Sequence, residues 1–409
     1  MWRSAIVTRN RKVLAVNPTD LNLLWGWRGR NSRGLLSRAY ASIAPPSAST
    51  VCDLQYETTV AARSSLVSAI GRYSLCYWQL SKARLSMLVV ATSGTGFILG
   101  SSASWAAIDF PGLCWTCAGT MMVAASAGSL NQVIEVANDS KMKRTSKRPL
   151  PSGRISVPHA IAWASVVGLS GSTILALKAN MLTCGLAASN LFLYAFVYTP
   201  LKQIHPINTW VGAIVGAIPP LLGWTAACGE ISLNSLILPA ALYFWQIPHF
   251  MALAYFCRQD YADGGFKMLS LHDATGRRTA SAAMRNCVYL LPLGYVACKW
   301  GLTSDWFMIE SSVLTLAITA AAYSFYRQRS KNSAKRMFFA SLLYLPVFMS
   351  GLLVHRRIGV REEAAPEEQE SPVDDRVLSE KRRVYARPPV AYASAAPFPF
   401  LPAPSYAAC

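Results

Sequence analysis

Three side chains that can bind a metal ion recur at every fourth residue near the end of an apolar stretch. Asn131, Glu135 and Asp139 lie at the end of, or just beyond, residues 113–136, a stretch that is otherwise apolar enough to cross a bilayer. A step of four residues turns an α-helix by about 400°, so the three side chains would share one helical face. Carboxylates at membrane depth are costly and usually functional. Because a helix C-terminus already favours cations, these acids need a positive partner.

Two kinds of positive partner are candidates. One is a metal ion, because oxygen ligands without a nearby Cys or His suit Mg²⁺, which usually binds one or two carboxylates together with substrate phosphates. The other is the basic cluster that follows, Lys141, Lys143, Arg144, Lys147 and Arg148. Acids for a metal, with bases just beyond them, would form a binding site for a diphosphate. From the spacing alone, a solvent-exposed helix end that carries acidic and basic residues but binds no ligand explains the pattern equally well.

A second acidic segment follows the sixth apolar stretch. Residues 245–250 read WQIPHF, and residues 258–268 carry Asp260 and Asp263. These acids are three residues apart, which still allows one helical face, although a polar loop start is the simpler alternative. Between the two acidic segments, Lys202 is an isolated base. It could hold a phosphate oxygen as a point charge, or it could only determine the membrane topology.

These segments resemble known signatures. The pattern N-x-x-x-E-x-x-x-D-x-x-M-x-R-T-x-x-R-P-L at residues 131–150 resembles the first signature of the UbiA-type intramembrane prenyltransferases, most closely that of their haem-modifying branch. W-Q-x-P-H-F and D-Y-x-x-G-G-x-x-M resemble the second signature, and residues 198–224 resemble the segment between the two. The resemblance covers about residues 85–354. General members carry paired acids four residues apart in the second signature. Here only Asp260 falls on the motif position, which leaves the role of Asp263 open.

The resemblance implies a reaction and a set of site residues. The family branch transfers a farnesyl group from farnesyl diphosphate to a vinyl group of protohaem IX (haem B), which makes haem O for haem A synthesis and cytochrome c oxidase assembly. A downstream haem A synthase is then a possible partner. Mg²⁺ would be held by Asn131, Glu135, Asp139, Asp260 and Asp263. Negative charge on the leaving group would be stabilised by Lys202, Arg144 and Arg148. Substrate contacts would come from Asn208, His249, Tyr261 and Lys267.

Two alternatives remain at this point. The chain could be a UbiA-type transferase that acts on an aromatic quinone precursor, although the R-T-x-x-R-P-L and W-Q-x-P-H-F runs argue against it. It could also be a transporter or a non-catalytic assembly factor with acidic intramembrane residues. The role of His249 is also open. A lone His in a Pro-kinked apolar helix is more often a hydrogen-bonded packing residue than a ligand, but imidazole is a normal axial ligand of haem iron.

The composition indicates a membrane protein. Of 409 residues, 53% are hydrophobic and only 14% are charged, which is too apolar for an ordinary soluble protein. The net charge of +19 could indicate a nucleic-acid partner. However, the basic residues lie in short segments between apolar stretches, and membrane topology with anionic lipid headgroups explains them better. We therefore expect no nucleic-acid partner.

The apolar stretches predict an all-α membrane protein with nine transmembrane helices around a central cavity. The nine predicted spans are Leu85–Ala107, Leu113–Val136, Ala160–Ala176, Met181–Val197, Trp210–Cys228, Leu236–Phe256, Arg285–Leu302, Trp306–Phe325 and Met337–Val354. The loops after spans two, four, six and eight carry most of the basic residues. The positive-inside rule then places these loops, which include both acidic motifs, on one side of the membrane.

The two ends of the chain differ from the middle. Residues 1–45 contain eight basic residues against the single acid Asp20, which is typical of a mitochondrial transit peptide, with a disordered basic arm as the alternative. A transit peptide would make this an inner-membrane protein whose motif loops face the matrix. Residues 46–84 are predicted to be a polar lead-in, residues 85–355 the transmembrane domain, and residues 356–409 a disordered tail rich in Pro, Ala and Glu.

Overall fold

The computed structural model describes residues 68, 70–101 and 104–357. The chain divides into two units, residues 1–75 and 76–409. Of the first unit, the described residues 68 and 70–75 are helical. The predicted transit peptide, most of the predicted lead-in, and the tail beyond residue 357 lie outside the described residues.

From residue 83 onward the described chain is helical with short connections. The α-helices are α1 Ala83–Gly100, α2 Phe110–Ile134, α3 Val136–Lys141, α4 Val157–Lys178, α5 Met181–Phe192, α6 Thr199–Ile204, α7 Asn208–Cys228, α8 Ile237–Phe256, α9 Arg258–Asp263, α10 Arg277–Lys299, α11 Asp305–Gln328 and α12 Lys331–Val354. A π-helical segment, Leu193–Tyr198, joins α5 to α6. Short 3₁₀ turns lie at Trp105–Ala107, Asn234–Leu236 and Leu269–Leu271.

Eight helices among the described residues are long and apolar enough to cross a membrane. They are Ala83–Gly100, Phe110–Ile134, Val157–Lys178, Met181–Ile204, Asn208–Cys228, Asn234–Phe256, Asp305–Gln328 and Lys331–Val354. Each corresponds to one predicted span, so the all-α membrane prediction is confirmed. The predicted seventh span corresponds to α10, which is 23 residues long but is not one of the eight. The count of nine is therefore not confirmed.

The outer surface of these helices is apolar. Leu169, Leu177 and Val354 expose 71%, 75% and 76% of their surface, respectively. Large apolar side chains with this exposure, repeated along several helices, would form an aggregation-prone surface in water. A lipid environment solvates them instead.

Helices α1 and α7 pack closely because small residues line their contact. A Cβ atom on Gly96 would overlap the carbonyl of Pro220, and one on Gly223 would overlap the carbonyl of Ser93. Glycine at these positions lets the two backbones approach, as at many membrane helix interfaces. This contact fixes the later turns of α1 against the later turns of α7.

The packed unit extends to residues before the first predicted span. Leu80 is fully buried and belongs to an apolar cluster with Leu150, Ile155 and Ala160. The side chain of Gln132 also donates hydrogen bonds to the carbonyls of Gln79 and Leu80, at 2.9 and 2.7 Å. These contacts hold the segment before α1 against the end of α2.

Candidate active site

The first acidic motif lies at a break between two helices. The motif spacing predicts one helix, but α2 ends at Ile134 and α3 begins at Val136, with Glu135 between them at φ −98° and ψ 11°. The hydrogen bonds continue across the break, from Glu135 N to Asn131 O at 3.0 Å and from Asp139 N to Glu135 O at 2.8 Å. Asn131, Glu135 and Asp139 are 0%, 2% and 1% exposed. The predicted cluster is therefore buried and close together along the chain, in spite of the break.

Each buried carboxylate of this motif has a basic partner. Glu135 Oε1 pairs with Lys202 Nζ, and Asp139 Oδ2 accepts from Arg148 Nη1 at 2.5 Å. A buried charge without a partner would cost several kcal/mol, roughly, so these pairs make the burial tolerable. Two of the three predicted bases, Lys202 and Arg148, thus pair directly with acids of the first motif.

Asn131 contacts a basic residue, Lys82, that lies outside the sequence motifs. Its Oδ1 accepts from Lys82 Nζ, and its Nδ2 donates to Thr199 Oγ1 at 2.9 Å. Lys82 Nζ also donates to the Tyr194 hydroxyl at 3.2 Å. Burial, together with the nearby charges of Arg148 and Lys202, lowers the pKa of Lys82 to about 7. The only signal in the sequence is its position directly before the first apolar span.

A polar cavity of about 680 Å³ lies among these residues. Its lining includes two carboxylates and four bases, Glu135, Asp139, Lys82, Arg144, Arg148 and Lys202. The bases outnumber the acids, so the cavity attracts a multiply charged anion. Asn208, a predicted substrate contact, also lines this cavity.

The second motif contributes aromatic side chains to the polar cavity. Tyr261 lines it and is 9% exposed; burial raises the pKa of its hydroxyl. The Arg144 guanidinium lies 5.7 Å from the centroid of the Tyr261 ring, and Lys202 Nζ lies 5.4 Å from that of Phe266. These rings make cation–π contacts with the two bases.

The remaining charged residues of the second motif lie outside the cavity. Asp260 Oδ1 accepts from Lys143 N at 3.1 Å, and its Oδ2 lies 3.8 Å from Arg144 Nε. Asp263 is exposed and accepts from Gln259 Nε2 at 2.8 Å. The Lys267 side chain is exposed as well. Asp260 is therefore connected to the cavity through Arg144, while Asp263 and Lys267 point to the outside.

The two motifs are nevertheless tied together by backbone contacts. Asn138 Nδ2 donates to Gly264 O at 2.7 Å. Lys267 N donates to Lys202 O at 2.7 Å, and Asn208 Nδ2 donates to Lys267 O at the same distance. These hydrogen bonds join α3, α6 and the start of α7 to the loop that follows α9.

The donor set of the cavity is compatible with a hard cation. The side chains that line it among the described residues provide carboxylate and amide oxygens and include neither Cys nor His, which is the ligand chemistry of Mg²⁺. Within the described part of the chain, no three Asp, Glu, His or Cys residues are close enough to hold a metal ion. One oxygen of each carboxylate, Glu135 Oε1 and Asp139 Oδ2, is paired with a base, so a cation would share these carboxylates with Lys202 and Arg148 or displace the two bases.

An apolar cavity of about 1150 Å³ adjoins the polar one. The two share a boundary formed by Lys82, Tyr198, Lys202, Gly212 and Phe250. Beyond this boundary the lining is mostly aliphatic and includes Leu85, Val89, Val123, Val215 and Leu222. The site can therefore accept a molecule with an anionic head and a long apolar chain.

His249 lines neither cavity. Its ring stacks with Trp245 and Phe338, at centroid distances of 5.1 and 4.6 Å. Its Nδ1 is 2.8 Å from Ser341 Oγ. His249 thus packs between α8 and α12, and its predicted contact with haem stays a prediction.

Comparisons with known proteins agree with the motifs. The model of the UbiA prenyltransferase family matches residues 87–343. The chain is 66% identical over 351 residues to "Protoheme IX farnesyltransferase, mitochondrial" of Arabidopsis thaliana, covering 85% of this chain and 81% of that protein. It is 40% identical to the human protein of the same name, covering 70% of this chain and 64% of that protein. A bacterial "Protoheme IX farnesyltransferase" from Koribacter versatilis is 34% identical, covering 69% of this chain and 93% of that protein.

Solved structures resemble the fold at low sequence identity. One, from work on a digeranylgeranylglyceryl phosphate synthase, aligns with a TM-score of 0.59 at 15% identity and covers 68% of this chain and 97% of that one. Another, a UbiA homolog from Archaeoglobus fulgidus bound to GPP and Mg²⁺, has a TM-score of 0.52 at 15% identity and covers 68% and 99%. At this identity the likeness concerns the fold. Together with the family match and the closely similar relatives, it leads to one conclusion: the chain belongs to the UbiA prenyltransferase family.

Proposed function

We propose that this chain transfers a farnesyl group from farnesyl diphosphate to a vinyl group of protohaem IX, which makes haem O for haem A synthesis. The observation that carries this proposal is the pair of buried carboxylates, Glu135 and Asp139, held by bases where a polar cavity meets an apolar one. A prenyl diphosphate has the matching shape and charge. The names of the relatives with 66% and 40% identity support haem B as the acceptor.

The ion pairs of the cavity provide the means of binding the diphosphate. Lys202 and Arg148 can exchange their carboxylate partners for phosphate oxygens, and Arg144 and Lys82 add two further donors. This exchange frees Glu135 and Asp139 for a divalent cation, with Asn131 beside them. Asp260 would join once Arg144 turns to the phosphate, and Asp263 is the most distant candidate. When bound, Mg²⁺ would offset the charge of the diphosphate.

Transfer then follows from charge stabilisation. The bond between C1 of the farnesyl group and the diphosphate oxygen breaks, and its electron pair leaves with the diphosphate. Lys202, Arg144 and Arg148 stabilise the negative charge that develops there. The vinyl π electrons form the new C–C bond, and water adds to the resulting cation with loss of a proton. The apolar cavity limits hydrolysis of the allylic carbon before the vinyl group attacks.

The setting of the reaction is the mitochondrial inner membrane, with the acidic motifs facing the matrix. The basic residues of the loops that carry both motifs support this orientation. We also infer that α10 is the ninth span, because it packs against the spanning helices α8 and α11. The joined cavities would form the predicted central cavity. Residues 1–45 would serve as the transit peptide. Anionic lipids would contact the basic loops. A haem A synthase would receive the haem O product.

Analysis of cellular haems tests the proposed function. Mass spectrometry should find neither haem O nor haem A in cells that lack this chain, and both should return when the chain is restored. Cells that lack the chain but retain haem O would contradict the proposal.

A competition experiment tests the acceptor. The purified chain would be supplied with farnesyl diphosphate, haem B and an aromatic ring acid. We expect only haem B to be prenylated. Prenylation of the ring acid instead would assign the chain to quinone synthesis.

A further inference from the structure

Buried side chains line the apolar cavity at its positions farthest along α5 and α7 from the boundary with the polar cavity. Val123, Ala187 and Leu222 line the apolar cavity, and they pack together with Leu175 in one buried apolar cluster. Val123, Ala187, Leu222 and Leu175 are 6%, 0%, 2% and 0% exposed, respectively. We call Val123, Ala187 and Leu222 the floor of the cavity.

The floor is supported from behind by tightly packed groups. A Cβ atom on Gly119 would lie 2.7 Å from Leu175 Cγ, so Leu175 fills the space beside α2 that glycine leaves. Below the floor, Thr183 Oγ1 and Thr225 Oγ1 are 2.9 Å apart, and Asn180 Nδ2 donates to Thr225 O at 2.7 Å. A chain that extended past the floor would have to disrupt these buried hydrogen bonds, at a cost of roughly 1–3 kcal/mol for each unsatisfied group.

The distance from the reacting end to the floor is similar along two helices. Gly212, at the boundary with the polar cavity, and Leu222 are ten residues apart on α7. With a helical rise of about 1.5 Å per residue, they are separated by roughly 15 Å. Tyr198, also at the boundary, and Ala187 on α5 are separated by a similar number of residues. This depth is comparable to an extended chain of three isoprene units.

We propose that the floor selects the length of the prenyl chain, with Ala187 and Leu222 as the residues that set the limit at 15 carbons. The proposal rests on the proposed function, because it assigns the apolar cavity to the prenyl chain. With C1 held beside the bases at the boundary, a ten-carbon chain leaves the deepest part of the cavity unfilled. A twenty-carbon chain collides with Leu222 and the residues packed behind it. Only the fifteen-carbon chain fills the cavity to the floor.

Two substitutions should move the limit in opposite directions. The purified full chain would be incubated with haem B and an equimolar mixture of geranyl, farnesyl and geranylgeranyl diphosphates, and the prenylated haems would be separated by mass. Ala187→Leu raises the floor, so the ratio of farnesylated to geranylated haem should fall by about tenfold or more. Leu222→Ala lowers it, so the ratio of geranylgeranylated to farnesylated haem should rise by about tenfold or more.

Matched controls separate the floor from general effects on the fold. Ala188→Leu changes the neighbouring residue of α5, which is not buried, and Leu177→Ala removes an exposed leucine of α4. Both should keep the product ratios of the unmodified chain. Retained activity of Ala187→Leu with geranyl diphosphate demonstrates that this variant folds. If that variant is inactive with every diphosphate, the Leu222→Ala ratio decides.

The proposal is overturned if the unmodified chain prenylates haem B, and if Ala187→Leu and Leu222→Ala, where active, give the same product ratios as the unmodified chain. It is also overturned if the controls shift the ratios as strongly as the floor variants. If the unmodified chain prenylates haem B with none of the three diphosphates, the proposed function itself is wrong. The two failures are therefore distinguishable.

Discussion

Glu135 and Lys202 form a buried ion pair between the break that follows α2 and the last turn of α6. Their side chains are 3% and 12% exposed. Lys202 Nζ also lies 5.0 Å from the centroid of the Tyr198 ring and 5.4 Å from that of Phe266. The acid and the base of this pair therefore neutralise one another. Glu135 is also a predicted ligand of the divalent cation, and Lys202 is a predicted contact of the diphosphate.

Removing the charge of Glu135 should weaken catalysis without unfolding the chain. In Glu135→Gln we expect the rate of haem prenylation to fall by roughly 10- to 100-fold, because an uncharged amide is a weaker ligand for a divalent cation than a carboxylate. Raising the Mg²⁺ concentration should partly restore the rate. Steady-state assays at several Mg²⁺ concentrations measure this, and unchanged activity at low Mg²⁺ would remove Glu135 from the site.

Lys82 should contribute to binding of the diphosphate. In Lys82→Met the KM for farnesyl diphosphate should rise by about tenfold, which corresponds to the loss of one hydrogen bond to a charged group. Lys147, which belongs to the basic cluster after the first motif but does not line the polar cavity, provides the control, since Lys147→Met should leave the KM nearly unchanged. An equal rise in both variants would indicate only a general electrostatic effect.

The close contact of α1 and α7 should tolerate no side chain at Gly223. Gly223→Ala forces a methyl group into the carbonyl of Ser93, and we expect a loss of roughly 1–3 kcal/mol of stability from overpacking. A Cβ atom on Gly185 in α5 would meet open space, with no atom of the described residues beyond its own helix within 4 Å. Gly185→Ala should therefore be neutral or slightly stabilising. Thermal unfolding in detergent compares the two variants, and a stable Gly223→Ala variant would contradict this helix contact.

The start of α10 should show a pH-dependent contribution to stability from Asp273. Its carboxylate accepts from Thr279 N and Thr279 Oγ1, at 2.8 and 2.9 Å. Although burial raises its pKa, these hydrogen bonds, with that from Thr275 and the charge of Arg258, hold the pKa below its ordinary value. A carboxyl group with a depressed pKa stabilises the fold above its unfolded pKa of about 3.9, and that stabilisation is lost as the pH falls through the folded pKa.

Asp273→Ala should therefore cost about 1 kcal/mol near neutral pH. The difference from the unmodified chain should shrink below about pH 4. Unfolding curves of both chains from about pH 7 to about pH 3 measure this difference. A cost that stayed constant over this range would show that the carboxylate charge plays no part.

The sequence predicts most of this site because its motifs have fixed spacing. Asn131, Glu135 and Asp139 come together because local hydrogen bonds keep them on one side of the chain, even where α2 gives way to α3. Eight of the nine predicted spans match spanning helices, because each is a continuous apolar stretch. The segment around α10 is harder to assign, since arginines occupy its first turns.

What the sequence does not predict depends on tertiary contacts. Lys82 reaches Asn131 only because α1 and α2 pack side by side, and no local pattern encodes that contact. Asp260 has the residue type of a metal ligand, yet the packing of the 143–144 segment turns it toward Lys143 and Arg144. The position of His249 likewise depends on α12, where Ser341 lies 92 residues further along the chain.

The most direct test of the central claim compares the unmodified chain with Asp139→Asn in liposomes that contain haem B, farnesyl diphosphate and Mg²⁺. Asp139 is 1% exposed and pairs with Arg148, so the variant keeps the shape of the site but loses its charge. We predict that mass spectrometry detects haem O with the unmodified chain, and at least about tenfold less with Asp139→Asn at equal amounts of folded protein. Equal yields of haem O from both chains would contradict the account.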